Sequence, residues 1–159
     1  MLKGRTVLLG NHAADSVKTD VAEIVPAAPR IDPLPPGMPR PFWSVMIPVY
    51  NDARYLREAL QSVLAQDPGP HRMQIEVIDN CSTKDDPETV VRELGSGRVS
   101  FRRQSRNVGA IENFNTCIRH ARGEWVHILH SDDRVASGFY SKAWGGLSCP
   151  AEIGAALCR

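Results

Sequence analysis

No stretch of this chain approaches the roughly 18–20 consecutive apolar residues that a membrane helix needs, so no membrane span is expected. The basic start "MLKGRTVLLG" carries an apolar run, "VLLG", too short for the core of a secretion signal. A strong charge of one sign is also lacking. With 19 Lys and Arg against 18 Asp and Glu the formal net charge is +1, which leaves no electrostatic footprint for nucleic acid or an anionic membrane. The four cysteines, Cys81, Cys117, Cys149 and Cys158, form no C-x-x-C pair and fall in different expected elements. They read as reduced thiols, with little support for a structural zinc site.

Three motifs are missing as well. There is no G-x-x-x-x-G-K-[ST] loop and no G-x-G-x-x-G after the first strand, which argues against a P-loop enzyme and a dinucleotide-dependent dehydrogenase. There is no G-x-S-x-G elbow either. What remains is ordinary globular material: 159 residues, 42% apolar and 23% charged, enough for one domain with a real core.

The first 41 residues differ from the rest. "PAAPRIDPLPPGMPRP" (26–41) holds seven of the twelve prolines. Proline fixes its own φ and biases its predecessor away from helix, so 1–41 reads as an extended leader or spacer. From Phe42 onward apolar runs alternate with amphipathic stretches. "SVMIPVY" (44–50) predicts a buried strand. Leu56, Ala59, Leu60, Val63 and Leu64 fall at helical spacing, with Asn51 or Asp52 as the cap. "QIEVID" (74–79) predicts a second strand. Asp86, Pro87 and Gly95 punctuate a second helix as cap, first residue and stop. "RVSFR" (98–102) follows as a strand. A helix over 110–123 is expected to present Ile111, Phe114, Ile118 and Ala121 on one face, with Gly123 as stop. "EWVHILH" (124–130) reads as a fourth, buried strand and, after a short irregular segment, "EIGAALC" (152–158) as a fifth. Strands alternating with single helices imply an α/β fold with a mostly parallel sheet covered on both faces.

In such sheets ligands bind beyond the carboxyl ends of the strands. Polar residues collect there: "PVYND", "DNCSTKDD", "QSRNVG" and "HSDD". Turn residues would account for any one cluster, but less well for two adjacent carboxylates after the fourth strand. A nucleoside diphosphate would account for all four. Tyr50, Asp79 and Asn80 could wall and bond a base, and Arg106 could approach phosphate or base. Asp132 and Asp133 could divide a ribose and a divalent cation, Mg²⁺ or Mn²⁺, between them. His127 and His130 sit three apart on a strand, point to opposite faces and are not expected to chelate together.

The ordered blocks "SVMIPVYN", "SVLAQ", "IEVIDNCSTKDD" and "RNVGAIENFNTCIRHARGEWVHILHSDD" resemble the family 2 glycosyltransferases over roughly residues 43–158. The resemblance implies the GT-A fold, a Rossmann-like α/β/α sandwich, here truncated after the fifth strand. It implies metal-assisted, inverting transfer from a nucleotide sugar, with UDP expected, to a saccharide or lipid-linked acceptor. Residues 42–159 would be the nucleotide-sugar-binding part. By this likeness Pro48, Val49 and Tyr50 line the nucleotide pocket, joined by Asp79, Asn80, Arg106, Asn107 and Asp132, while Asp133 with Asp132 holds the metal. The family's second aspartate is Asn80 here, its following glycine is Cys81, and the first residue of its Asp-x-Asp motif is His130. A general base would lie beyond Arg159, since Glu152, the only carboxylate after Asp133, is poorly placed. The expected location is the cytoplasm, with peripheral association at the inner membrane face as a variant. The rival readings are a non-catalytic nucleotide-binding or interaction module, and a nucleotidyltransferase, whose glycine-rich loop is absent.

Overall fold

A computed structural model of the chain describes residues 33–147. Four strands and four helices alternate through this span. They are β1 (Trp43–Val49), α1 (Ala53–Leu64), β2 (Met73–Asp79), α2 (Pro87–Gly95), β3 (Ser100–Arg103), α3 (Ala110–His120), β4 (Trp125–Ile128) and α4 (Phe139–Leu147). The expected leader lies outside the described residues as far as residue 32, and residues 33–42 hold only a turn. No helix among the described residues is long and apolar enough to cross a membrane.

The sheet is parallel throughout, in the order β3-β2-β1-β4. β1 and β2 are central and buried at every residue, as their near-continuous apolar sequence demands. Alternation along β1 sends Val45, Ile47 and Val49 into the main core with Leu56, Leu60, Val63, Val90 and Val91. Met46 points the other way, into a smaller cluster with Ile78 and Cys117. The four helical positions Leu56, Ala59, Leu60 and Val63 are buried as their spacing predicts.

Four expectations need correction. The fourth strand is only Trp125–Ile128 and is not buried, with Val126 44% exposed, because among the described residues it forms an edge of the sheet. The segment after it is not irregular throughout, since it contains α4, whose Tyr140 packs edge-on against Trp43 (centroids 5.4 Å). The face of α3 is rotated from the apolar pattern. Ile111 is 79% exposed, and the buried residues are Asn113, Thr116 and Cys117. The surface under that helix explains the rotation, for it is largely polar. Ser44 Oγ donates to Gln74 Oε1 (2.6 Å), Gln74 donates to Glu76 (3.0 Å), and Asn113 Nδ2 donates to the Ile78 carbonyl (3.0 Å). Buried polar groups need such partners more than the helix needs another apolar contact. Lastly, Gly95 is the final helical residue of α2, and the left-handed turn falls on Ser96 (φ 43°). The expected fifth strand, with Cys149 and Cys158, lies outside the described residues; Cys81 and Cys117 are both free thiols.

Asp86 caps α2 as expected, accepting from Glu88 N (3.2 Å), with Pro87 at the first helical position. Its carboxyl is held below the usual range, first by the Thr89 hydroxyl.

Candidate active site

The chain runs outward from β1 through β2 to β3, then returns to the opposite side of β1 as β4. The strand order therefore reverses between β1 and β4, and a crevice opens at such a point beyond the carboxyl ends of the strands. A cavity of about 330 Å³ lies there. The end of β1 supplies Pro48, Val49 and Tyr50, and the end of β2 supplies Asn80. The loop after β3 and the first turn of α3 supply Asn107, Gly109, Ala110, Asn113 and Phe114, and the exit of β4 supplies His130, Ser131 and Asp132.

Six residues singled out from the sequence thus meet in one cavity: Pro48, Val49, Tyr50, Asn80, Asn107 and Asp132. Asp133 adjoins it. Ligand atoms of His130, Asp132 and Asp133 lie within 4.8 Å of one another, and all three side chains are exposed. Two residues are placed elsewhere. Arg106 is exposed and outside the cavity wall. Asp79 is fully buried behind the wall. Its Oδ1 accepts from the Ser82 amide (3.0 Å) and hydroxyl (2.5 Å), and its Oδ2 from Arg103 Nε (2.6 Å). That pairing raises the pKa of the Arg103 guanidinium. A buried carboxylate so engaged stabilises the loop and has little left for a ligand.

Backbone geometry explains two residue types at the strand exits. Asn51 (φ 54°) and Cys81 (φ 61°) both take the left-handed conformation where β1 and β2 turn away. Asn51 Oδ1 accepts from the Thr83 and Lys84 amides (2.8 and 3.0 Å), and its own amide donates to Ser82 Oγ (2.8 Å), stitching the two exits together. Cys81 occupies this conformation without such compensation. A left-handed residue other than glycine carries a penalty of roughly 1–2 kcal/mol, partly offset by the greater chain entropy glycine loses on folding. Cys81→Gly is therefore expected to stabilise the fold by up to about 1 kcal/mol. A thermal melt checks it, and a lower midpoint than wild type would refute the strain account.

Asn80 is 4% exposed, and its orientation is fixed. Its Oδ1 accepts from Val108 N (2.8 Å) and its Nδ2 donates to Asn107 Oδ1 (3.1 Å), which also accepts from Gly109 N (2.9 Å). The two histidines diverge as their spacing requires. His127 packs against Phe139 and Tyr140, with Nδ1 3.1 Å from the Tyr140 hydroxyl. Its burial lowers its pKa and keeps it neutral near pH 7. His130 instead faces the cavity, its ring 5.2 Å from Phe114. Burial, then the nearby Glu76 charge, pushes the Cys117 thiol up to about 12, so it is no nucleophile.

Sequence reasoning missed the wall contributed by α3. Its signal was Gly109 (φ 83°) at the helix start, which lets the chain turn into the cavity without a side chain in the way.

The model for the family described as "Glycosyl transferase family 2" matches residues 44–150. The chain belongs to that family. Among similar proteins, abequosyltransferase RfbV of Salmonella typhimurium is 35% identical over 95 residues, covering 58% of this chain and 28% of the relative. Among solved structures, the mannosyltransferase PcManGT from Pyrobaculum calidifontis, in complex with GDP-Man and Mn²⁺, superposes with a TM-score of 0.61 at 28% identity. It covers 70% of this chain and 33% of its own. TarS 1–349 from S. aureus, in complex with UDP-GlcNAc, gives a TM-score of 0.58 at 28% identity, over 65% of this chain and 30% of its own. The chain spans a third or less of the length of each. The exposed cluster of His130, Asp132 and Asp133, together with the Mn²⁺ in the PcManGT structure, is consistent with use of a divalent metal.

Proposed function

We propose that this region binds a nucleotide-diphosphate sugar, UDP-linked, and serves its metal-assisted, inverting transfer to a saccharide or lipid-linked acceptor. The observation that carries the reading is a single cavity running from the His130, Asp132 and Asp133 cluster to Asn80. Adjacent strands lie roughly 4.8 Å apart, so the exits of β4 and β2, on either side of β1, are separated by on the order of 10 Å. That span suits a diphosphate at one end and a base at the other. Tyr50, 45% exposed, offers the base an aromatic wall, and the Asn80 amide carries both donor and acceptor. Asp132, on the cavity wall, serves the ribose or the metal; Asp133 serves the metal.

The trio fits a divalent cation. Octahedral ligands about 2.1 Å from an ion stand roughly 3–4 Å from one another, which exposed side chains within 4.8 Å can reach by small rotations. Two carboxylates and one imidazole suit Mn²⁺ at least as well as Mg²⁺. When bound, the cation would neutralise charge developing on the departing diphosphate. A lipid-linked acceptor would bring the protein to the inner face of the membrane.

Calorimetry of the chain with UDP tests the reading. Weak binding that Mn²⁺ strengthens is expected, and absence of heat at millimolar nucleotide would overturn it.

A further inference from the structure

His130, Asp132 and Asp133 are exposed, and no hydrogen bond among the described residues holds any of their side chains. Apart from the Phe114 ring against His130, their convergence comes from the backbone that carries them. The last ladder bond of β4 is Leu129 N to Met46 O (3.0 Å), and the loop next closes on itself with Asp133 N to His130 O (3.1 Å). Between these points the tie from the loop to a neighbouring strand exit is Ser131, whose buried hydroxyl donates to Asp52 Oδ2 (2.8 Å).

Asp52 is unusual for its place. It occupies the N-cap position of α1 yet makes no cap hydrogen bond. The Ala53 amide, at the first helical position, donates to Asp85 Oδ2 (2.7 Å), from the loop after β2. A residue type that normally caps its own helix is thus released to reach a loop 79 residues away. Departure from a local rule marks a position where tertiary structure requires something else. Asp52 does not join the trio's ligand atoms, so it acts through Ser131.

We infer that Asp52 and Ser131 form a clamp that positions the cation ligands: the hydrogen bond fixes the β4 exit against the start of α1, so that His130, Asp132 and Asp133 meet one ion. The inference rests on the metal reading above, and both are positioning residues. Orienting partners of this kind typically alter metal affinity by about 10–100-fold.

The test measures Mn²⁺ affinity by the loss of the free-ion paramagnetic resonance signal, and UDP affinity without metal, on the whole chain. Ser131→Ala and Asp52→Ala are expected to weaken Mn²⁺ by about 10-fold or more, and Asp52→Ala, whose residue lies outside the cavity wall, is expected to leave metal-free UDP binding unchanged. Asp52→Asn keeps an acceptor for the Ser131 hydroxyl and loses the charge, so it should bind Mn²⁺ like wild type. Wild-type affinity in both alanine variants would overturn the clamp. Failure of Asp52→Asn to rescue would overturn it too, assigning the effect to charge. Equal loss of metal-free UDP binding in Asp52→Ala would show that the pair supports the whole cavity and not the ligands. No Mn²⁺ binding by the wild-type chain would overturn the metal site itself, and the clamp with it.

Discussion

Gly123→Ala is expected to disrupt the fold more than any other one-methyl change considered for this chain. A Cβ at residue 123 would lie 2.4 Å from Ser44 N and 2.6 Å from the Trp43 carbonyl carbon, both backbone atoms of β1. Contacts below 3 Å with backbone cannot be relieved by a rotamer change. The glycine amide donates to Ser44 Oγ (2.7 Å), and the next two amides, of Glu124 and Trp125, donate to Pro41 O and Phe42 O (3.0 and 2.9 Å). Residue 123 is therefore where β4 docks on β1. Moving it would part that edge of the sheet and take from the residue 123 amide its bond to Ser44 Oγ. Overpacking of this kind destabilises by roughly 1–3 kcal/mol or more, a large share of the ~5–15 kcal/mol that holds a domain folded. A thermal midpoint lower by about 10 °C or more, or recovery only as insoluble protein, is the expected result. Arg122→Ala, at an exposed neighbour, is the control and should melt like wild type. A Gly123→Ala protein with a wild-type melting curve would refute the close approach.

Asp133→Ala should abolish the strengthening of UDP binding by Mn²⁺ and spare the binding seen without metal. The geometry separates the two effects. Asp133 belongs to the cluster of ligand atoms but does not line the cavity, whereas Asp132 does both. Removing a ligand outright should exceed the roughly 10–100-fold loss that follows removal of an orienting partner. Asp132→Ala should therefore lose metal-dependent and metal-free binding together. Calorimetry of each variant with UDP, with and without Mn²⁺, checks the pair. Mn²⁺ that still tightens UDP binding to Asp133→Ala would show that the metal assignment is wrong.

The two adjacent carboxylates after β4 stood out in the sequence because burial without a partner or a ligand would be costly; the structure leaves both exposed. Asp79 looked equivalent at the end of β2. Its difference lies in Arg103 and Ser82, which enclose it. The spacing of Asp79 from Arg103 has no local period, since β3 meets β2 only through the sheet register. Gly123 read as a helix stop, which needs only conformational freedom. What requires glycine there is space against β1.

The sequence alone determined the order of strands and helices from β1 to β4, the parallel sheet and the polar strand exits. Each follows from periods of two and 3.6 residues or from turn chemistry, and these act within a few residues. Only the tertiary structure decided which polar groups face the cavity and which face each other. Asn80, Asp79, the rotated α3 and the Asp52–Ser131 pair all depend on contacts between residues far apart in the chain. Those contacts satisfy buried donors and acceptors through space, a requirement that leaves no period in the sequence.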